Sequence, residues 1–284
     1  MMNKPIFKIF TLTTVWSWLI AFALIPYMLI LIASFLSHNS NTLLTLPLTF
    51  RNYFTLLNSL YFIIFLKSFY LAGACTIFCL LLGYPFAYIL AKIKIKHKEI
   101  LLLLVIIPFW TSSLIRSYAM IAILKTKGIL NTVLLFLGII NAPLQLLYTN
   151  SAVIIGLVYN LLPFMILPLY ANIERLDQRL IDAALDLGAK KTRIFKRIIL
   201  PLTKPGILAG SILVFLPAMT LFYIPTLLGG AKSMLLGNLI QDQFLFSINW
   251  PMGSAISIML TLIMAGLLLF YWRSAQSTDG RDLL

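Results

Sequence analysis

Residues 181–201 read IDAALDLGAKKTRIFKRIILP. They form the inner part of a polar segment, residues 174–205, in a chain that is otherwise strongly apolar. The segment holds four of the eight carboxylates (Glu174, Asp177, Asp182, Asp186) and eight of the 22 lysines and arginines (Arg175, Arg179, Lys190, Lys191, Arg193, Lys196, Arg197, Lys204). Residues 177–187 favour helix, and Gly188 can take the left-handed conformation that ends one. A second helix over 189–199 is expected to stop at Pro201. Ala183 and Ala184 have minimal side chains, so the surface of another protein can approach the backbone there. Leu180, Ile181, Leu185 and Leu187 offer that surface apolar contact. The competing reading is an amphipathic helix lying on anionic lipid, which the basic second half suits.

Working outward, composition sets the class. With 61% hydrophobic and 11% charged residues in 284, the chain departs from soluble domains, whose charged share is about 25%. Its apolar surface needs lipid. A net charge of +14 does not indicate nucleic acid, because the basic residues fall in loops beside apolar runs, as membrane orientation requires.

A spanning helix needs about 20 largely apolar residues. Six runs qualify: 15–36, 69–91, 100–124, 151–171, 206–228 and 252–272. The first has too long an apolar core for a cleaved signal peptide and no small-x-small site after it, so it reads as a retained helix. A seventh run, GILNTVLLFLGII (128–140), is too short to span and reads as interfacial or re-entrant. Charge decides the count. With six spans and both termini inside, sixteen basic residues lie inside: Lys4, Lys8, Lys92, Lys94, Lys96, Lys98, the eight of the central segment, Arg273 and Arg281. Four lie outside: Arg51, Lys125, Lys127 and Lys232. A seventh span would put the eight-positive segment outside, against the positive-inside bias. The expectation is therefore one all-α transmembrane domain over 1–284, multi-pass, with both termini cytoplasmic. Residues 49–57 (TFRNYFTLL) should form a short outer surface helix.

Catalysis fits poorly, and no catalytic residue is assigned. His38 and His97 sit in loops on opposite sides and cannot form a metal pair, so no metal ligands are expected. Cys75 and Cys79, one turn apart, read as packing residues. Residues 229–233 (GGAKS) resemble only the tail of a phosphate loop and lack its second glycine. No carboxylate lies within a span, which argues against proton or sodium coupling through buried acids. Lys67 can snorkel to the outer interface. For Arg116, in PFWTSSLIRSYAM (108–120), an inter-subunit or gating contact competes with snorkelling. Pro217 and Pro225, with Tyr223 between them, suggest a broken fifth span that lines a path.

Asp182-Ala183-Ala184 is followed after three residues by Gly188, and nine residues later by Ile198, Leu200 and Pro201. The pattern resembles the E-A-A-x3-G-x9-I-x-L-P motif of permease subunits of ATP-binding-cassette (ABC) importers. GYPFAYILA (83–91), PFWTSSLIRSYAM (108–120), LPFMILPLYANIERLDQRLIDAALDLGA (162–189), the segment 200–244 and WPMGSAISIML (250–260) are similar to PotB-type permeases of bacterial spermidine/putrescine importers. That resemblance implies a type I importer permease fold in the bacterial inner membrane. It implies as partners two ATPase subunits carrying ATP-Mg, a second, PotC-type permease and an external polyamine-binding protein; the chain itself would bind no cofactor, only its partners and lipid, and no nucleic acid. The cytoplasmic coupling helix would use Asp182, Ala183, Ala184, Leu185, Gly188, Ile198, Leu200 and Pro201. Candidates for the path are Arg116, Tyr159, Phe222, Tyr223 and Thr226, and Asp242 is a candidate for outer docking. Asp182 stands for the usual Glu, and Thr226 stands where relatives often carry an acid. Alternative readings are a permease for iron, thiamine or another small solute, a stand-alone secondary transporter, and a membrane scaffold.

Overall fold

The computed structural model describes residues 4–39, 42–93, 95–230 and 233–279; Lys94, Lys232 and Arg281 of the charge count lie outside them. Peptide groups inside a bilayer have no water to bond, so the apolar runs close their hydrogen bonds within helices. The order is α1 (Lys4–Leu19), a π-turn (Ile20–Leu24), α2 (Ile25–Ser34), strands β1 (Ser37–Asn39) and β2 (Thr42–Thr45), α3 (Arg51–Leu56), α4 (Ser59–Lys92) and α5 (Ile95–Ile106). A 3-10 turn (Ile107–Trp110), α6 (Ser113–Leu124), α7 (Ile129–Phe136), α8 (Asn150–Glu174) and α9 (Gln178–Asp186) follow. Then come α10 (Lys191–Ile194), a π-turn (Phe195–Ile199), α11 (Leu200–Leu202), α12 (Lys204–Thr220) and a π-turn (Pro225–Gly229). The last elements are α13 (Leu236–Gln241), a π-turn (Asp242–Phe246) and α14 (Trp250–Asp279).

Among the described residues five stretches are long and apolar enough to cross a membrane, 11–34, 59–92, 113–136, 150–174 and 250–269, and a sixth if the bent pair 191–202 and 204–220 counts as one. Two expected spans differ in detail. Residues 100–124 are not one helix: the chain breaks between Pro108 and Ser112, where Thr111 Oγ1 donates to Pro108 O at 2.8 Å and Thr111 is extended. The stretch of sufficient length there is α6 continued by the eight-residue α7. The expected 206–228 helix ends at Thr220, where Leu221 turns extended, and Pro225 opens the π-turn that follows, a position where its missing N–H is tolerated. Residues 49–57 contain the short helix α3, as expected. The β1–β2 hairpin, with Ser37 opposite Thr45, is a small departure from an all-α chain.

Prolines also explain two of the π-turns. In both cases the turn ends two residues before a proline, Leu24 before Pro26 and Ile199 before Pro201. The widened turn closes with an N–H bonded five residues back, Ile25 to Ile20 and Leu200 to Phe195. The extra residue makes room for the ring while the helix goes on.

The chain packs as two compact units. In the unit of residues 1–62 and 239–265, Asn52 Nδ2 donates to the Ser34 and Leu36 carbonyls at 2.9 Å each. Phe35 packs against the rings of Phe50 and Tyr53 at 5.3 Å, so α3 is fastened to the end of α2. The unit of residues 63–238 and 266–284 is built around α8. Val153, Leu157, Leu161, Met165, Leu169 and Ile173, four residues apart, are all buried. Met165 lies where α4, α8 and α12 meet: a Cβ at Gly210 would sit 2.7 Å from its sulfur and 3.2 Å from its carbonyl oxygen.

Gly210→Leu should therefore loosen this unit, since overpacking costs about 1–3 kcal/mol. Gly266→Leu should not, because a Cβ there meets nothing within 4 Å. Thermal unfolding of the detergent-solubilised protein checks this: a lower midpoint is expected for the first change and none for the second.

Candidate functional site

The connection from α8 to α12 carries most of the residues singled out in the sequence. Asp177 caps α9, its Oδ1 accepting from the Arg179 N–H at 2.9 Å; this satisfies one of the donors a helix start leaves open. At the far end Gly188 adopts φ +76°. Its N–H donates to Leu185 O at 2.9 Å, and the Ala189 N–H donates to Ala184 O at 3.0 Å. These are the two bonds of a Schellman cap. No residue of α9 is buried. Leu180 and Leu185 are about half exposed and Leu187 is 88% exposed, an apolar patch on a short, doubly capped helix. Asp182 is exposed too, with Gln178 Nε2 at 3.4 Å.

The second half differs from the expected 189–199 helix. It begins at Lys191 and continues through Pro201 to Leu202, and the chain then bends by 62° into α12. The π-turn before Pro201 lets the helix pass that residue, so the break falls at Thr203. Thr203 is fully buried. Its Oγ1 donates to Leu200 O at 3.2 Å and accepts from the Tyr84 hydroxyl, 3.0 Å away. The Phe195 ring meets Tyr84 edge-on at 5.8 Å. Ile198 and Leu200, half-buried, thus sit on an elbow clamped by α4, whereas Asp182 to Gly188 project from it. Arg193, Lys196 and Arg197 line a shallow basic cleft beside the elbow.

At the root of the connection Lys98 Nζ donates to Glu174 Oε1 at 2.8 Å. Lys98, and then the Tyr170 hydroxyl, hold the Glu174 carboxyl below the usual carboxylate range. A lowered carboxyl pKa contributes stability that is complete above the ordinary carboxylate value and is lost as pH falls through the lowered one. Glu174 is largely exposed, so the contribution is small.

The path candidates divide. A cavity of about 480 Å³ is lined by Phe109, Ser112, Ser113, Arg116, Asn160, Phe164, Pro217 and Tyr223, among others. Arg116 and Tyr223 line it directly, and Tyr223 donates to Ser113 Oγ at 3.0 Å. The Arg116 guanidinium lies 5.4 Å from the Phe109 ring centre and 5.9 Å from that of Tyr159. It is buried, which answers the snorkelling alternative. Phe222 and Thr226 are exposed and off the lining; Asn238 Nδ2 donates to Thr226 Oγ1 at 2.7 Å and to Phe222 O at 2.8 Å. Asp242 Oδ2 accepts from Ser247 Oγ at 3.0 Å and from Gln243 Nε2 at 3.4 Å, so it braces its own turn. Among the described residues, no three of His, Cys, Asp and Glu are grouped to hold a metal ion.

The sequence signature has a counterpart in known proteins. The family model for the binding-protein-dependent transport system inner membrane component matches residues 83–277. The chain belongs to this family. The spermidine/putrescine transport system permease protein PotB of Haemophilus influenzae is 54% identical over 268 residues, 94% of each chain. That of Escherichia coli is 51% identical over 265 residues, covering 93% of this chain and 96% of its own. The crystal structure of a bacterial alginate ABC transporter in complex with an alginate-pentasaccharide-bound periplasmic protein contains a chain of the same fold. Its TM-score is 0.75 at 17% identity, covering 94% of this chain and 92% of that one.

The permease is thus a multi-pass inner-membrane subunit of a transport system. Sequence reasoning missed four of its residues. Tyr84 and Thr203 are ordinary in a helix and a loop, and only packing brings them together over 119 positions. Asn160 could have been noticed as the one side-chain amide of the apolar run 151–161; it is buried, donating to Gly156 O at 2.9 Å. Lys98 stood in the charge count but not as the partner of Glu174.

The cap at Gly188 makes a graded expectation. Gly188→Asn, which tolerates the left-handed region, should keep the Gly188 and Ala189 amides protected, whereas a β-branched residue should not. Hydrogen exchange across 183–189 reads this out: slow amides in the wild type and in Gly188→Asn, and at least tenfold faster ones in Gly188→Val.

Proposed function

We propose that this chain is the non-catalytic permease subunit of an ABC importer that carries polyamines, spermidine and putrescine, across the inner membrane. Two ATPase subunits would bind ATP-Mg, a second, PotC-type permease would complete the path, and an external binding protein would deliver the substrate. Both termini and the α8–α12 connection lie on the cytoplasmic side in this reading, in keeping with the positive-inside bias. The observation that carries it is α9: a capped helix with exposed Leu180, Leu185 and Leu187, in the motif of a family of transport subunits. The substrate is inferred from the likeness to the two PotB proteins.

The mechanism follows from the parts. Closure of the ATPase pair on ATP pushes α9 at Asp182, Ala183, Ala184 and Leu185. The Schellman cap keeps the pushed helix intact, and the elbow at Ile198, Leu200, Pro201 and Thr203 passes the displacement to α12. The permeases then rock between inward- and outward-facing states as rigid bodies. Tyr223 supplies an aromatic face for passing ammonium groups, while Tyr159, whose ring meets Arg116, and Phe222 and Thr226 sit beside the way. With no carboxylate in its spans and Thr226 in place of an acid, this chain forms a weakly selective path. Discrimination belongs to the binding protein and the second permease, and Asp242 serves the outer mouth by shaping its turn.

Three measurements test this. Proteoliposomes holding the complete transporter should take up spermidine and putrescine only with ATP, and Ala184→Trp or Gly188→Pro should abolish uptake while insertion persists. Normal uptake in both variants would refute coupling through α9. Cysteines placed beside Lys190, in a background lacking Cys75 and Cys79, should react only from the cytoplasmic side, and those beside Asn141 only from outside. In competition assays, Asp242→Asn and Tyr223→Ala should leave the preference order between the polyamines unchanged; a reversed order would place selectivity in this chain.

A further inference from the structure

Arg116 is the most exacting group in the molecule. It is 9% exposed, and its Nε and Nη1 have no hydrogen-bond partner. An arginine stays charged in a protein, and a buried charge without a counter-ion is strongly unfavourable. The Phe109 and Tyr159 rings attract it, but an aromatic face offsets only a small part of the lost hydration.

Among the described residues no carboxylate pairs with it, and none lines its cavity. The carboxylates are Glu99, Glu174, Asp177, Asp182, Asp186, Asp242, Asp279 and Asp282. None lies between 100 and 173, which includes all of α6, nor between 187 and 241, which includes all of α12. Asn160, on the same cavity wall as Arg116, is fourteen residues from Glu174 along α8, or about 21 Å at 1.5 Å per residue. The wall is unfinished in the other sense too, since the buried Asn160 Oδ1 has no donor.

We propose that the counter-ion of Arg116 is a carboxylate side chain of the second permease, inserted into the Arg116 cavity when the two permeases assemble. The inference rests on the paired-permease reading above. It commits to a protein carboxylate for two reasons. The proposed solute is a polycation, so it cannot neutralise a guanidinium and would be repelled by a bare one. A carboxylate fixed to the partner remains in place through every transport cycle and removes that repulsion. The cavity, at about 480 Å³, has room for an aspartate or glutamate side chain, and the Ser112 and Ser113 hydroxyls on its wall can donate to the second carboxylate oxygen.

The test uses the complete transporter in proteoliposomes. Arg116→Lys should retain most of the uptake, Arg116→Met should lower both the uptake and the melting temperature of the complex, and Arg116→Glu should cut uptake at least tenfold. Each Asp or Glu within the spans of the second permease is then changed singly to Lys. One of these changes should inhibit the wild type yet restore uptake to Arg116→Glu within a factor of three. If Arg116→Glu does not assemble, co-purification of the two permeases replaces uptake as the readout of the same scan. The proposal is overturned if no reversal rescues, if Arg116→Met melts and transports like the wild type, or if the second permease has no carboxylate in its spans. It is equally overturned if Arg116→Met leaves assembly intact and weakens competition by a carboxylate solute, which would make Arg116 a ligand for an anion. Wild-type membranes without ATP-driven polyamine uptake, or without a co-purifying second permease, would instead refute the functional reading on which it rests.

Discussion

No peptide group inside a bilayer can turn to water, and this constraint shapes every irregular feature of the permease. Two of the helix prolines are answered locally. The π-turns before Pro26 and Pro201 absorb one residue so that the helix continues. Where the backbone does break, at Thr111 and again after Thr220, polar side chains gather beside it. Thr111, Ser112, Ser113, Asn160 and Tyr223 all line one cavity. The irregular backbone and the polar cavity are thus one feature, because each is tolerable only beside the other.

The same constraint makes the core around α8 tight. Its four-residue stripe is closed by Met165, against which α12 can lie only because position 210 has no side chain. The connection that leaves α8 at Glu174 returns at Thr203, and both ends are tied to the helical body, by Lys98 at the start and by Tyr84 at the elbow. Between those ties α9 stands free with its own caps. The elbow leads into α12, whose far end reaches Pro217 and Leu221 on the cavity wall.

Charge is distributed to the same effect. Among the described residues no carboxylate lines the cavity, and the interior holds a single buried guanidinium. Its Nε and Nη1 have no hydrogen-bond partner, and it lies against the Phe109 and Tyr159 rings. The leucines of α9 and its C-terminal cap, Leu180, Leu185 and Leu187, are by contrast exposed.

Local chemistry determined much of this on its own. Apolar runs of sufficient length announced the membrane helices, the sign of the loops favoured six spans over seven, and Gly188 announced a left-handed helix end because few other residues adopt it. The spacing from Asp182 to Pro201 was legible for the same reason: it is local. What sequence could not supply was anything that depends on a distant neighbour. That the helix passes Pro201 and breaks at Thr203 depends on a π-turn and on Tyr84, over a hundred positions away. That Arg116 is buried rather than snorkelling depends on α8 and on the α12 end packing around it. Periodicity and charge report a residue's preferences, but burial and pairing are properties of the space between elements, and only the tertiary structure decided those.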